Sequence, residues 1–197
     1  MKQYAIVLAL ISAFYFSCKS KAPVNEKIAI VDTTKFFQVS QYIKSQIDEV
    51  NKVPYYIYKL DIVNGKLDSS AINNNTFVEL ASQFLKPDIN DERLKPNYKE
   101  RIFEDKTTAT ITFNYSAIDK DIELQNVDVI LGSDGETVKR LMMRKFYNYK
   151  DSSAIEQLSW KPGERFIINR AVQLPNNPEV QMQTIVVWNE MSSRNNK

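Results

Sequence analysis

Thr108-Ala-Thr-Ile-Thr-Phe-Asn-Tyr115 decides the fold class. Ala109, Ile111, Phe113 and Tyr115 alternate with Thr108, Thr110, Thr112 and Asn114. A period of two suits a strand with one buried face and one wetter face. The rhythm continues downstream, where Ile122 and Leu124 keep phase. Val127, Val129 and Leu131 then take the opposite parity, which predicts a bulge near Gln125-Asn126. Asp134-Gly135 turns the chain into 138–147, Asp151-Ser152 into 153–160, Lys161-Pro-Gly-Glu164 into 165–174, and Pro175-Asn-Asn-Pro178 into 180–188. Consecutive strands joined by such short turns pair antiparallel with their neighbours, as a meander.

Upstream the period changes. Phe36, Val39, Ile43, Ile47 and Val50 form one helical stripe, with Asp32, Thr33 and Thr34 as candidate N-caps and Pro54 as its stop. Tyr56, Tyr58, Leu60 and Ile62 then alternate with Lys59 and Asp61 ahead of Asn64-Gly65, a strong hairpin signal. Thr76-Phe77-Val78-Glu79 reads as a capping box opening a second helix. Its buried stripe would be Phe77, Leu80, Ala81, Phe84 and Leu85, and Pro87 would end it. Residues 88–106 are highly charged, with room for a polar strand at 99–104. The pentapeptide Asp-Ser-Ser-Ala-Ile, at 68–72 and 151–155, reads as shared turn chemistry. The expected fold is α+β, one domain over residues 35–188. A curved antiparallel meander of about six to eight strands would pack on two amphipathic helices, a half-barrel at its most closed.

Composition narrows function by exclusion. The 197 residues carry 26 Lys+Arg against 24 Asp+Glu, no His and one Cys. A net charge of +2 is too balanced for a dedicated nucleic-acid binder. Without His there is no Ser-His-Asp triad and no His-ligated metal. No G-x-S-x-G, Gly-rich phosphate loop or C-x-x-C occurs. Asp119-Lys-Asp121-Ile-Glu123 starts like a calcium loop and then fails, with Leu124 at the turn Gly and Ile130 at the closing Glu. Tyr55 and Lys59 have the spacing of a proton-transfer pair that needs a helix, and they fall in strand pattern. No cofactor, metal or catalytic residue is therefore expected, and a carboxylate-dependent hydrolase is the only enzyme class left open. The segment from Val138 to Lys150 has five basic residues and no acid: a solvated face, or a seat for an anionic partner.

The N-terminus carries a separate message. Lys2 precedes an apolar run of 13 residues, 4–16, shorter than the ~20 that span a bilayer as a helix. With Phe16-Ser17-Cys18 the segment resembles a bacterial lipoprotein signal. The resemblance implies removal of residues 1–17, acylation of Cys18 with palmitate-type chains, and a tether over 18–34. Lys19-Ser20-Lys21-Ala22-Pro23 lacks the Asp linked to inner-membrane retention. By the same resemblance the address is the outer membrane, facing the periplasm. Residues 189–197 read as a flexible tail.

Helices against a curved meander behind a lipid anchor are similar to the periplasmic lipoprotein carriers and outer-membrane lipoprotein receptors. That resemblance rests on element order and implies an apolar cavity for acyl chains, lined by Phe113, Met142, Phe146, Phe166 and Ile168. The broader expectation is a membrane-anchored, non-enzymatic binding or scaffold module, with an envelope protein or a lipid as partner.

Overall fold

The computed structural model describes residues 36–189. The alternating stretches become β3 (Tyr98–Asp105), β4 (Thr110–Ala117), β5 (Leu124–Gly132), β6 (Val138–Tyr149), β7 (Ser152–Lys161), β8 (Arg165–Gln173) and β9 (Val180–Val187). Each pairs antiparallel with the next, and the bulge is present as a register shift between Leu124 and Asn126. Asn64 and Gly65, both at positive φ, join β1 (Ile57–Val63) to β2 (Lys66–Ile72), as the twist of a two-residue hairpin requires. β1 then adds to β9.

The sheet therefore has nine strands in the order β2-β1-β9-β8-β7-β6-β5-β4-β3, more than the six to eight expected. The six later strands and the β1–β2 hairpin make eight, and the ninth is β3, whose charged sequence hides its period. β2 and β3 lie at opposite edges without pairing to each other, so the sheet stays open. Both copies of the repeated pentapeptide lie in strand rather than turn, the first wholly and the second from Ser152 on.

The order β2 to β3 poses a path problem: the chain must travel from one edge to the other. Residues 73–97 do so across one face of the sheet, through α2 (Asn74–Ala81) and two short 3₁₀ turns. Phe77, Phe84 and Ile89 are buried on the way. Phe77 meets Trp160, Phe166 and Trp188 at ring-centroid distances of 6.4, 5.8 and 5.4 Å, and Phe84 meets Trp160 and Phe166 at 5.2 and 5.5 Å. Mostly tilted and edge-on, these rings add to what area burial alone gives. α1 (Val39–Lys52) contributes Val39, Ile43, Ile47 and Val50 to the same core, the face its spacing selects.

Three local expectations are corrected. α1 begins at Val39, because the Phe37 N–H is taken by the Tyr115 hydroxyl at 2.9 Å while Phe36 packs on that ring at 4.7 Å. The proposed caps Asp32, Thr33 and Thr34 lie outside the described residues. α2 is capped by Asn73, whose Oδ1 accepts from the Thr76 N–H at 2.9 Å, so Thr76 sits inside the helix and not at its cap. In β1 the buried residue is Ile57, whereas Tyr56 is 75% exposed. Register explains the reversal: Lys59 pairs with Val186, a core residue, which puts Ile57, Lys59 and Asp61 on the covered face and Tyr58, Leu60 and Ile62 on the other.

The covered face also holds charge. The buried Lys145 ammonium donates to the carbonyls of Gln83 and Lys86, at 2.8 and 2.6 Å. It thereby satisfies acceptors that the end of the α2 segment leaves over. Across the strand pair, buried Glu156 accepts from the Tyr147 hydroxyl at 2.9 Å and faces the Arg170 guanidinium at 3.4 Å.

Buried phenols make the fold sensitive to alkali. Burial pushes Tyr98 up to about 12 and holds Tyr115 well above the usual phenol range. Above pH 10 the unfolded chain loses these protons and the folded chain keeps them, so stability falls as pH rises toward 12. Lys145 opposes this below 10.5, since burial lowers its pKa and unfolding there takes up a proton. Tyr98 and Tyr115 together are expected to contribute a loss of about 2–3 kcal/mol per pH unit above 10.5, and Tyr42 and Tyr147, which burial also raises, act in the same direction. Urea unfolding at pH 9, 10, 11 and 11.5 checks it, and Tyr115→Phe should make the decline shallower. A stability flat to pH 11.5 would contradict it.

Candidate binding face

The strands that bury Trp160, Phe166 and Val129 on one side present their alternate residues on the other, and among the described residues no helix covers that side. Cross-strand pairing lines these residues up. Ser116 pairs with Asn126, Asn126 with Arg144, Arg144 with Gln157, Gln157 with Asn169, and Asn169 with Gln183. One transverse row of polar side chains thus crosses β4 to β9. At about 4.8 Å per strand, its five steps span roughly 24 Å.

Both ends of the row are fixed by hydrogen bonds. Asn114 donates to Asp128 at 2.6 Å and to Asn126 at 3.0 Å, and Asn126 donates to the second Asp128 oxygen at 2.7 Å. Ser116 donates to the side-chain oxygens of Asn114 and Asn126 at 2.8 and 3.0 Å. At the far end Gln183 donates to Asn169 at 2.6 Å. In the middle, Arg144 and Gln157 are exposed and make no side-chain hydrogen bond with the described residues. Donors and acceptors are therefore held at the ends and offered at the centre.

Two adjoining depressions, of about 540 and 510 Å³, lie along this row and share Arg144, Gln157 and Asn169. Ile62, Ile155 and Ala171 contribute apolar surface to the first and Met142 to the second, where Asp128 adds a carboxylate. No aromatic residue lines either. Among the described residues no group of three or more His, Cys, Asp or Glu could hold a metal, and no helix is long and apolar enough to cross a membrane. The Asp119–Glu123 segment is a turn in which Asp119 accepts from the Asp121 N–H at 2.9 Å.

The five residues expected to line one cavity are divided between the two sides of the sheet. Phe113, Phe166 and Ile168 lie on the covered face, with Phe166 fully buried among the core rings. Met142 and Phe146 lie on the open face, 39% and 36% exposed. They do not share a cavity, because successive residues of a strand point to opposite faces and the register fixes which is which. Cys18 lies outside the described residues. Asn126, Gln157, Asn169 and Gln183 are new as a set. Each is visible in the sequence as the polar partner in an alternating strand, but only the register makes them a row. No family model matches the chain, and no curated protein or solved structure matches it either.

Proposed function

We propose that the chain is a non-enzymatic binding module of the cell envelope, tethered through acylated Cys18 to the outer membrane on its periplasmic side, and that its ligand lies on the open face of the sheet. The observation that carries this is the row from Ser116 to Gln183: polar side chains in register across six strands, ordered at both ends and unpaired at the centre. A sheet face that served only to meet water would need neither the two depressions nor the built polar ends. The lipoprotein-like signal at Phe16-Ser17-Cys18 supports the tether, with several acyl chains as a durable anchor.

A photo-crosslinking residue placed at position 157 of the full chain, in intact cells, tests the binding face. A discrete adduct is expected there and none from position 79, an exposed site on α2. Adducts from position 79 alone, or from neither, would overturn the assignment. Metabolic labelling with a palmitate analogue tests the tether, with incorporation into the native chain and loss in Cys18→Ser as the expected result.

A further inference from the structure

The charges on the open face are one-sided. Register places Lys99 and Arg101 of β3, Arg140 and Arg144 of β6, Lys161 of β7 and Arg165 of β8 on this side. Against these six stand Asp128, already held by two amides, and Asp105 at the end of β3, which accepts from the turn at Thr107 and Thr108. Lys161 and Arg165 share the buried Glu164 carboxylate. Lys99, Arg101, Arg140 and Arg144 form no ion pair with the described residues. Six bases against two carboxylates thus give a one-sided positive field to a face that, among the described residues, no helix covers.

Three features narrow the anion. First, Arg144 lines both depressions, so a partner that meets it there follows a groove, which suits an extended chain better than a flat bilayer surface. Second, the groups beside Arg144 are amides, each both donor and acceptor, which suit hydroxyl-bearing units better than purely anionic ones. Third, no ring lines the grooves, which removes the stacking platform that single-stranded nucleic acids use and that neutral sugars favour. Resting on the open-face reading above, we infer that the ligand is a linear acidic polysaccharide laid across the strands along the row from Ser116 to Gln183. Arg144 takes a carboxylate or sulfate in a two-pronged hydrogen bond, and Gln157 and Asn169 take neighbouring hydroxyls.

The test is titration calorimetry of the full-length chain carrying Cys18→Ser, in non-ionic detergent, against polygalacturonate and chondroitin sulfate. Dextran, phosphatidylglycerol vesicles and a single-stranded oligonucleotide are the competing probes. At least one acidic polysaccharide is expected to bind tenfold or more tightly than dextran and more tightly than vesicles or oligonucleotide. Arg144→Gln should weaken it about tenfold or more, the loss of one charge-assisted contact. Gln157→Trp, which fills the groove without touching charge, should weaken it comparably. Lys44→Gln, on the exposed side of α1, should leave it unchanged. Equal losses from Lys44→Gln and Arg144→Gln would mean diffuse charge attraction and overturn the site, as would unchanged binding in both groove variants. Tighter binding to vesicles or oligonucleotide would overturn the ligand class. If neither polysaccharide binds while position 157 still crosslinks in cells, the ligand assignment falls and the binding face stands; if both fail, both fall.

Discussion

Replacing Lys145 by Met is expected to destabilise the fold by about 3–5 kcal/mol, the usual cost of removing one partner from a buried charged network. The ammonium sits between two main-chain carbonyls of the segment that crosses the sheet, Gln83 and Lys86, and Glu156 lies beside it across the strand pair. Met fills the volume of the aliphatic stem but takes away the charged donor that both part-buried carbonyls share. It also leaves Glu156 with only Tyr147 and a more distant Arg170. Urea unfolding of the native and Lys145→Met chains measures the difference, and a loss under about 1 kcal/mol would show that the contacts are incidental. A second change separates charge from packing. Glu156→Gln on the Lys145→Met background should cost less than it does alone, because the two groups belong to one network.

Phe77→Ala is expected to cost a similar 3–5 kcal/mol, for an unrelated reason. Phe77 is fully buried and touches three rings, Trp160, Phe166 and Trp188, that come from three places in the chain. No neighbour can swing into the space, because Trp160 and Phe166 are themselves stacked at 5.2 Å and bounded by Phe84. The cavity term is therefore nearly complete. Val78, one residue on, points outward at 37% exposure, and Val78→Ala should change stability by no more than about 0.5 kcal/mol. Thermal and urea unfolding of both variants checks the contrast. Equal effects would mean that α2 is held by its backbone ends and not by this ring.

Much of the sheet was legible because each strand announces itself locally. Asn64-Gly65 and Lys161-Pro-Gly-Glu164 are turns by their own chemistry, and the parity change at Gln125-Asn126 marked the bulge before any pairing was known. β3 was faint, since Tyr98-Lys-Glu-Arg-Ile-Phe-Glu-Asp105 is an edge strand whose solvated positions carry charge in place of a clear alternation. The helix starts were displaced for reasons outside the helices: a hydroxyl from β4 claims the Phe37 amide, and a better-placed Asn73 outcompetes Thr76.

The sequence by itself determined the strand-and-turn order, the two apolar helical stripes and a composition without His. Those are local properties, set by period, turn residues and composition. Only the tertiary structure decided that β1 joins β9, that 73–97 crosses the sheet, and that Phe113 and Phe166 face the core while Met142 and Phe146 face away. It also decided that Asn126, Arg144, Gln157, Asn169 and Gln183 stand in one row. The physical reason is register: a shift of one residue between strands leaves every local pattern unchanged and sends every side chain to the opposite face.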